Sequence, residues 1–169
     1  MTLKKYYFIA GLHRSGSTLL SSILNQNPRF YSGSCLSPVL DLMSNIERFL
    51  PDHEFYKSSP RPEGAHKVVS SIIDNYYNDV NHPVIFDKNR GWPMHVNYIE
   101  SYIKQNAKII CPVRDISEIL SSFITLIHKT HNGVDFSSID VQVIRGGYSL
   151  TDTNRCYSIL NGVLGNALS

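Results

Sequence analysis

Short unbroken apolar runs alternate along this chain with longer stretches in which apolar residues recur every three to four positions. Residues 6–10 form an unbroken run of strand length. A glycine-bounded loop, Gly11 to Gly16, follows directly and opens into a helix whose apolar positions are Leu19, Leu20, Ile23 and Leu24. Asn27-Pro28 stops that helix, and residues 30–34 are a second short strand or a loop. Ser37-Pro38 starts a helix to about residue 49, with serine as cap and proline in the first turn. Residues 51–64, rich in proline, serine and charge, are expected to be a surface loop. A helix over 65–78, a strand over 83–87, a helix over 92–106 and a strand over 107–113 come next. In the following helix Ile116, Ile119, Leu120, Phe123, Ile124 and Ile127 form one apolar face. Thr151-Asp152-Thr153 starts a last helix, and Ile159, Leu160, Val163, Leu164 and Leu168 continue its stripe. No internal repeat or low-complexity tract interrupts the pattern. Strands alternating with helices predict an α/β fold, a parallel sheet in three α/β/α layers.

The first strand, loop and helix also carry chemistry. Backbone N–H groups of a Gly-x-x-x-x-Gly loop, together with a helix amino terminus at Ser17-Thr18, converge on one point and favour a phosphate or sulfate there. A nucleotide triphosphatase would have lysine where this chain has Ser17. Here the cation sits inside the loop as Arg14, and a guanidinium can fork onto two oxygens of a bound group. A bare strand-to-helix turn would leave Arg14, Ser15, Ser17 and Thr18 as unexplained polar residues between two apolar elements.

Two further strand ends present polar groups. Arg114-Asp115 follows the 107–113 strand, at the edge where open α/β sheets place their ligands. Ser122 stands eight positions after Arg114, on the flank of the helix rather than its apolar stripe. Asp87-Lys88-Asn89-Arg90 stands at the end of the 83–87 strand; a salt-bridged strand end and a catalytic role are both open for Asp87-Lys88.

Composition adds bounds. A chain of 169 residues is one domain's worth and can bury a sizeable core, so residues 1–169 are read as a single domain. A formal net charge of +2 is too small to imply nucleic acid or an acidic membrane as partner. Three cysteines, Cys35, Cys111 and Cys156, have no metal-ligand spacing, and their odd number argues against a disulfide framework. Cys111, within an apolar strand, is expected to behave as a small hydrophobe. The histidines also lack metal-ligand spacing, although His128 and His131 can share a helical face. Trp92 is read as a core or lid residue ahead of a substrate platform, and His13, inside the loop, as a neutral spacer ahead of a substrate contact. No signal peptide or membrane-length apolar stretch is present, so the expected compartment is a reducing cytoplasm.

The Arg14-Ser15-Gly16-Ser17-Thr18 loop, with Arg114 and Ser122 in the same order and spacing, resembles the sulfotransferases that use 3′-phosphoadenosine 5′-phosphosulfate (PAPS). The resemblance implies a P-loop sulfotransferase fold and transfer of a sulfonyl group from PAPS to a hydroxyl or amine acceptor, without a metal. It implies that Arg14, Ser15, Gly16, Ser17 and Thr18 grip the 5′-phosphosulfate, and that Arg114 and Ser122 bind the 3′-phosphate. Lys88 matches the lysine that contributes to the transferring group. Cytosolic members carry a histidine two residues beyond it as base; here that position is Arg90, so that mechanism is not carried over. Arg14, Lys88 and Asp87 are the candidate catalytic residues, with Asp41 and Glu47 as other candidate bases. Residues 133–151 match the family poorest and are read as an acceptor-side insert. Family members normally continue into a further strand and a glycine-and-basic loop, which this sequence lacks, so the chain is expected to be a truncated form. A P-loop nucleotide kinase-like enzyme and a catalytically incompetent nucleotide-binding fragment are the other readings. The acceptor and the oligomeric state are left open.

Overall fold

The computed structural model describes residues 4–130 and 137–165. His131, Leu168 and residues 133–136 of the expected insert lie outside the described residues. The chain divides into two units. The first takes in residues up to Ala10 and Ser17–Cys111; the second takes in Gly11–Gly16 and the residues from Pro112 onward.

In the first unit the apolar runs form β1 (Lys5–Ile9), β2 (Phe30–Ser32), β3 (Val84–Lys88) and β4 (Ile109–Ile110), all parallel, in the order β2-β3-β1-β4. Residues 30–34, open between strand and loop, thus contain a strand. In β1 and β3 successive side chains go to opposite faces, as strand geometry requires. Tyr6, Phe8 and Ile85 join one apolar cluster, whereas Ile9, Val84 and Phe86 join another. On the first face lie α2 (Val39–Asp52), which supplies Val39, Leu40 and Met43, and α4 (Pro62–Tyr76), which supplies Val69 and Ile73; the short α3 (Glu54–Ser58) between them buries no residue. On the second face α1 (Ser17–Leu24) packs Leu20 and Leu24. The chain is therefore an α/β protein with a parallel sheet flanked by helices.

Several elements depart from the sequence expectation. In α1 the buried side is the one shared by Leu20, Ser21 and Leu24, while Leu19 and Ile23 stay exposed. Ser21 is tolerated inside because its hydroxyl donates to the Ser17 carbonyl at 3.0 Å. Residues 51–64 are not a loop: α3 and the start of α4 occupy most of them. Pro62 sits in the first turn of α4, where its fixed φ helps and its missing N–H costs nothing. The helix expected over 92–106 is a 3₁₀ turn (Trp92–His95), a short α5 (Val96–Tyr98) and a π turn (Ile99–Ile103), ended by left-handed Lys104 at φ +57°. Of the strand expected over 107–113, β4 keeps Ile109 and Ile110 in register with β1, and the Lys108 carbonyl accepts from the Phe8 N–H. Pro112 has no N–H to donate. Cys111 is exposed rather than a buried hydrophobe.

In the second unit α6 (Ile116–Thr130) buries Ile119, Phe123 and Ile127 along the predicted face. Ile139 from α7 (Ser138–Arg145) joins that cluster. So do Ile159 and Leu164 from the π turn that follows α8 (Asp152–Ser158). Helix α7 lies in the segment read as an insert. It begins with a reciprocal cap in which the Ser137 hydroxyl accepts from the Asp140 N–H and the Asp140 carboxylate accepts from the Ser137 N–H. Thr151 caps α8 as expected, its hydroxyl accepting from the Asn154 N–H at 3.2 Å.

Candidate active site

The loop Gly11–Gly16 owes its shape to three residues with positive φ: Gly11 at +110°, Arg14 at +63° and Gly16 at +99°. At Gly11 only glycine fits, because a Cβ there would lie 3.0 Å from both the Pro112 carbonyl oxygen and Ser15 Oγ. Arg14 holds the left-handed conformation without being glycine, which costs of order 1 kcal/mol and is sustained by its contacts. Its Nε donates to Ser122 Oγ at 3.0 Å, and its carbonyl accepts from Arg114 Nη1 at 3.1 Å. Arg114 is oriented in turn by Glu118, whose Oε2 accepts from Nε at 2.9 Å. Arg14, Arg114 and Ser122 thus meet in the second unit, where with Ser117, Thr125 and Lys129 they line a cavity of about 730 Å³. Ser15 is buried, and its hydroxyl has no hydrogen-bond partner. His13 lies beside Phe123, ring centres 6.0 Å apart.

In the first unit Lys88 closes β3, on the face opposite to Asp87. Its ammonium donates to the Ser34 carbonyl at 2.6 Å, with a longer contact of 3.4 Å to the Thr18 hydroxyl. Burial lowers the Lys88 pKa, and the Arg90 guanidinium lowers it further, while the Cys35 thiol pulls the other way. Arg90 is itself held below its ordinary value by burial.

Asp87 is fully buried and accepts three hydrogen bonds, from Ser37 Oγ at 2.5 Å, Trp92 Nε1 at 2.7 Å and Tyr77 Oη at 2.8 Å. Burial pushes its carboxyl pKa up, although those donors favour the ionised form. An unpaired buried carboxylate would cost several kcal/mol, and three donors offset much of that. Trp92 is accordingly a core residue. Glu47 is also engaged, accepting from the hydroxyls of Tyr98 and Tyr102. Burial, reinforced by that carboxylate, pushes both tyrosines up to about 12. Asp41 differs: it is exposed, and its Oδ2 accepts from Asn89 Nδ2 at 3.3 Å.

The sequence assigns no role to Ser34, none to Asn89 beyond a polar group at the strand end, and only that of a helix cap to Ser37. The helix starts one residue later than that reading implied, although Ser37 Oγ does accept from the Val39 N–H at 3.1 Å. Nothing in the local pattern marks a carbonyl such as that of Ser34, whose use depends on a strand about fifty residues away.

A family model described as the sulfotransferase family matches residues 7–160. The chain belongs to the sulfotransferase family. No curated protein matches it. The matched span contains the whole Gly11–Gly16 loop, Lys88, Arg114 and Ser122. A sulfotransferase loop must offer an anion several donors without crowding it. Gly16 meets that demand, since a Cβ there would find nothing within 4 Å, and the unpartnered Ser15 hydroxyl is a further donor within the loop. The residues present therefore fit a phosphosulfate donor. Among the described residues no cluster of three metal-ligating side chains occurs, and no helix is long and apolar enough to cross a membrane.

Proposed function

We propose that this sulfotransferase-family chain is an enzyme that transfers a sulfonyl group from PAPS to a hydroxyl or amine acceptor. The observation that carries this reading is the convergence of Arg14, Ser122 and Arg114: the Arg14 guanidinium donates to Ser122 on α6, and its backbone carbonyl accepts from Arg114 in the turn before that helix. When bound, the donor supplies an activated sulfonyl group: a new S–O or S–N bond forms as the S–O bond to the phosphate side breaks, and adenosine 3′,5′-bisphosphate leaves with the electron pair.

The chain's residues divide that work. Arg14, the Ser15 hydroxyl, Ser17, Thr18 and the N–H groups of the loop bind the phosphosulfate and meet the charge that grows on its bridging oxygen. Lys88 offers a partly desolvated ammonium to the transferring group, where an ion counts for more than it does in water. Arg114 and Ser122 hold the 3′-phosphate. Asp87 works at one remove, by organising Ser37, Tyr77 and Trp92. Asp41 is the base in this reading, because it is the exposed one of the three candidate carboxylates, Asp87 and Glu47 each accepting from two or more side-chain donors. The scheme asks for no metal ion, so a chelator should leave turnover unchanged.

Incubation with PAPS labelled with ³⁵S, against carbohydrate, phenol, lipid alcohol and tyrosine-peptide acceptors, tests the reading. Transfer of label to one acceptor class supports it. Transfer of the terminal phosphate of ATP-Mg²⁺ instead, with no movement of sulfur label, would replace it with a kinase.

A further inference from the structure

The segment between β2 and α2 is pinned at both ends. At the first end Asn25 grips Ser32: Nδ2 donates to the Ser32 carbonyl, and the Ser32 N–H donates to Oδ1, both at 2.7 Å. At the other end everything passes through Ser37. Its N–H donates to the Lys88 carbonyl at 2.7 Å, its hydroxyl donates to Asp87 Oδ2 at 2.5 Å, and its carbonyl accepts from Asn89 Nδ2 at 3.2 Å. One buried serine is therefore tied to three consecutive residues at the end of β3. Between the two pins hangs Ser34, whose carbonyl is the close partner of the Lys88 ammonium.

We propose that Ser37 is a positioning residue for Lys88, acting through the Ser34 carbonyl, and this rests on the reading of Lys88 as a sulfonyl contact. A lysine ammonium has three N–H bonds on a flexible four-carbon stem. Ser34 takes one of them and the Thr18 hydroxyl stands near a second, so the remaining direction is set only while the Ser34 carbonyl stays in place. Strand alternation sends the Asp87 and Lys88 side chains to opposite faces of the sheet. The route Asp87–Ser37–Ser34–Lys88 brings the rigidity of the buried carboxylate hub round to the reactive face. A helix cap alone would use only the contact between Ser37 Oγ and the Val39 N–H, and would need none of the three ties to β3.

The test compares Ser37→Ala, Ser37→Thr and Ser37→Cys in the full chain. It reads sulfonyl-transfer kcat and KM for PAPS, and the titration of the Lys88 amine by NMR in lysine-labelled protein. Cys35 and Arg90, the other titratable or charged groups acting on Lys88, are left unchanged. Expected for Ser37→Ala is a fall in kcat of about 10- to 100-fold, the size typical of a misplaced group, with KM for PAPS within about twofold. The Lys88 titration should move back toward that of an ordinary lysine, and Ser37→Thr should restore both readouts. Ser37→Cys, close in size and a weaker donor, should fall between them and serves if the alanine variant does not fold. Loss of thermal stability alone, with kcat and the Lys88 titration unmoved, would overturn the proposal in favour of simple capping. If the parent chain moves no sulfur label, the sulfonyl-transfer reading fails by itself. The Lys88 titration in Ser37→Ala would still decide whether Ser37 positions that amine.

Discussion

Arg14 and Ser122 lie 108 positions apart in sequence and meet at 3.0 Å, guanidinium Nε to hydroxyl Oγ. The same bond that seats the arginine in its left-handed conformation ties the loop to α6, and Arg114 closes the arrangement from the turn before that helix. Ser122→Ala should weaken binding of adenosine 3′,5′-bisphosphate about tenfold, the worth of one hydrogen bond to a charged group. Arg114→Ala, which removes a guanidinium fork, should cost about 100-fold or more. Calorimetric titration reads both, and neither change should alter thermal stability as strongly as affinity.

Lys88 should govern the chemical step rather than donor affinity. Lys88→Ala is expected to lower kcat by about 10² to 10³, the usual loss for one donor aimed at developing charge. Burial lowers the Lys88 pKa. The charged, active form is therefore lost as pH rises through a value below the ordinary lysine figure of about 10.4. A pH–rate profile should show this early alkaline limb, and Lys88→Arg should move it to higher pH.

Asp41 and Glu47 lie on the same helix and should respond differently. Asp41→Asn is expected to lower kcat by about 10² or more, typical of a lost general base, with little change in melting temperature. Glu47→Gln should weaken the acceptor of the Tyr98 and Tyr102 hydroxyls, lowering stability by about 1–2 kcal/mol and leaving kcat near that of the parent. Paired kinetics and thermal melts separate the two.

The second unit should be sensitive to acid. Asp140 is buried, which alone would raise its pKa, but hydrogen bonds from Arg155 at 2.7 Å and from Ser137 outweigh burial and hold it below the ordinary value. Asp152 is lowered by His128 and then by Arg155. A carboxylate with a lowered folded pKa contributes stability above its unfolded value of about 3.9, and loses it as pH falls through the folded value. Unfolding followed by circular dichroism should therefore weaken below about pH 4. Arg155→Met should cost about 3 kcal/mol at neutral pH, because it strands the buried Asp140 charge.

How much of this was legible depended on whether the cause was local. Gly11 and Gly16 announce a loop with positive φ, and the loop is where those glycines said. The strand over 83–87 was readable too; it runs one residue further, through Lys88, and its alternation sends Asp87 and Lys88 to opposite faces. Two helix starts carry their signals in the sequence: Pro62 favours a first turn within the stretch expected to be a surface loop, and Ser137-Ser138-Ile139-Asp140 is a capping box within the segment read as an insert. The rest had no local trace. The tie of Ser37 to Asp87 and the engagement of Glu47 each join residues fifty or so positions apart, and single-residue chemistry cannot tell a base from a scaffold.

Calorimetric titration of the chain with adenosine 3′,5′-bisphosphate, run beside ATP-Mg²⁺, tests the donor site most directly. Saturable binding of the bisphosphate, stronger than that of ATP-Mg²⁺ and unaffected by chelator, is expected. Preference for ATP-Mg²⁺, or bisphosphate binding that survives loss of both Arg14 and Arg114, would contradict sulfonyl transfer from PAPS at this site.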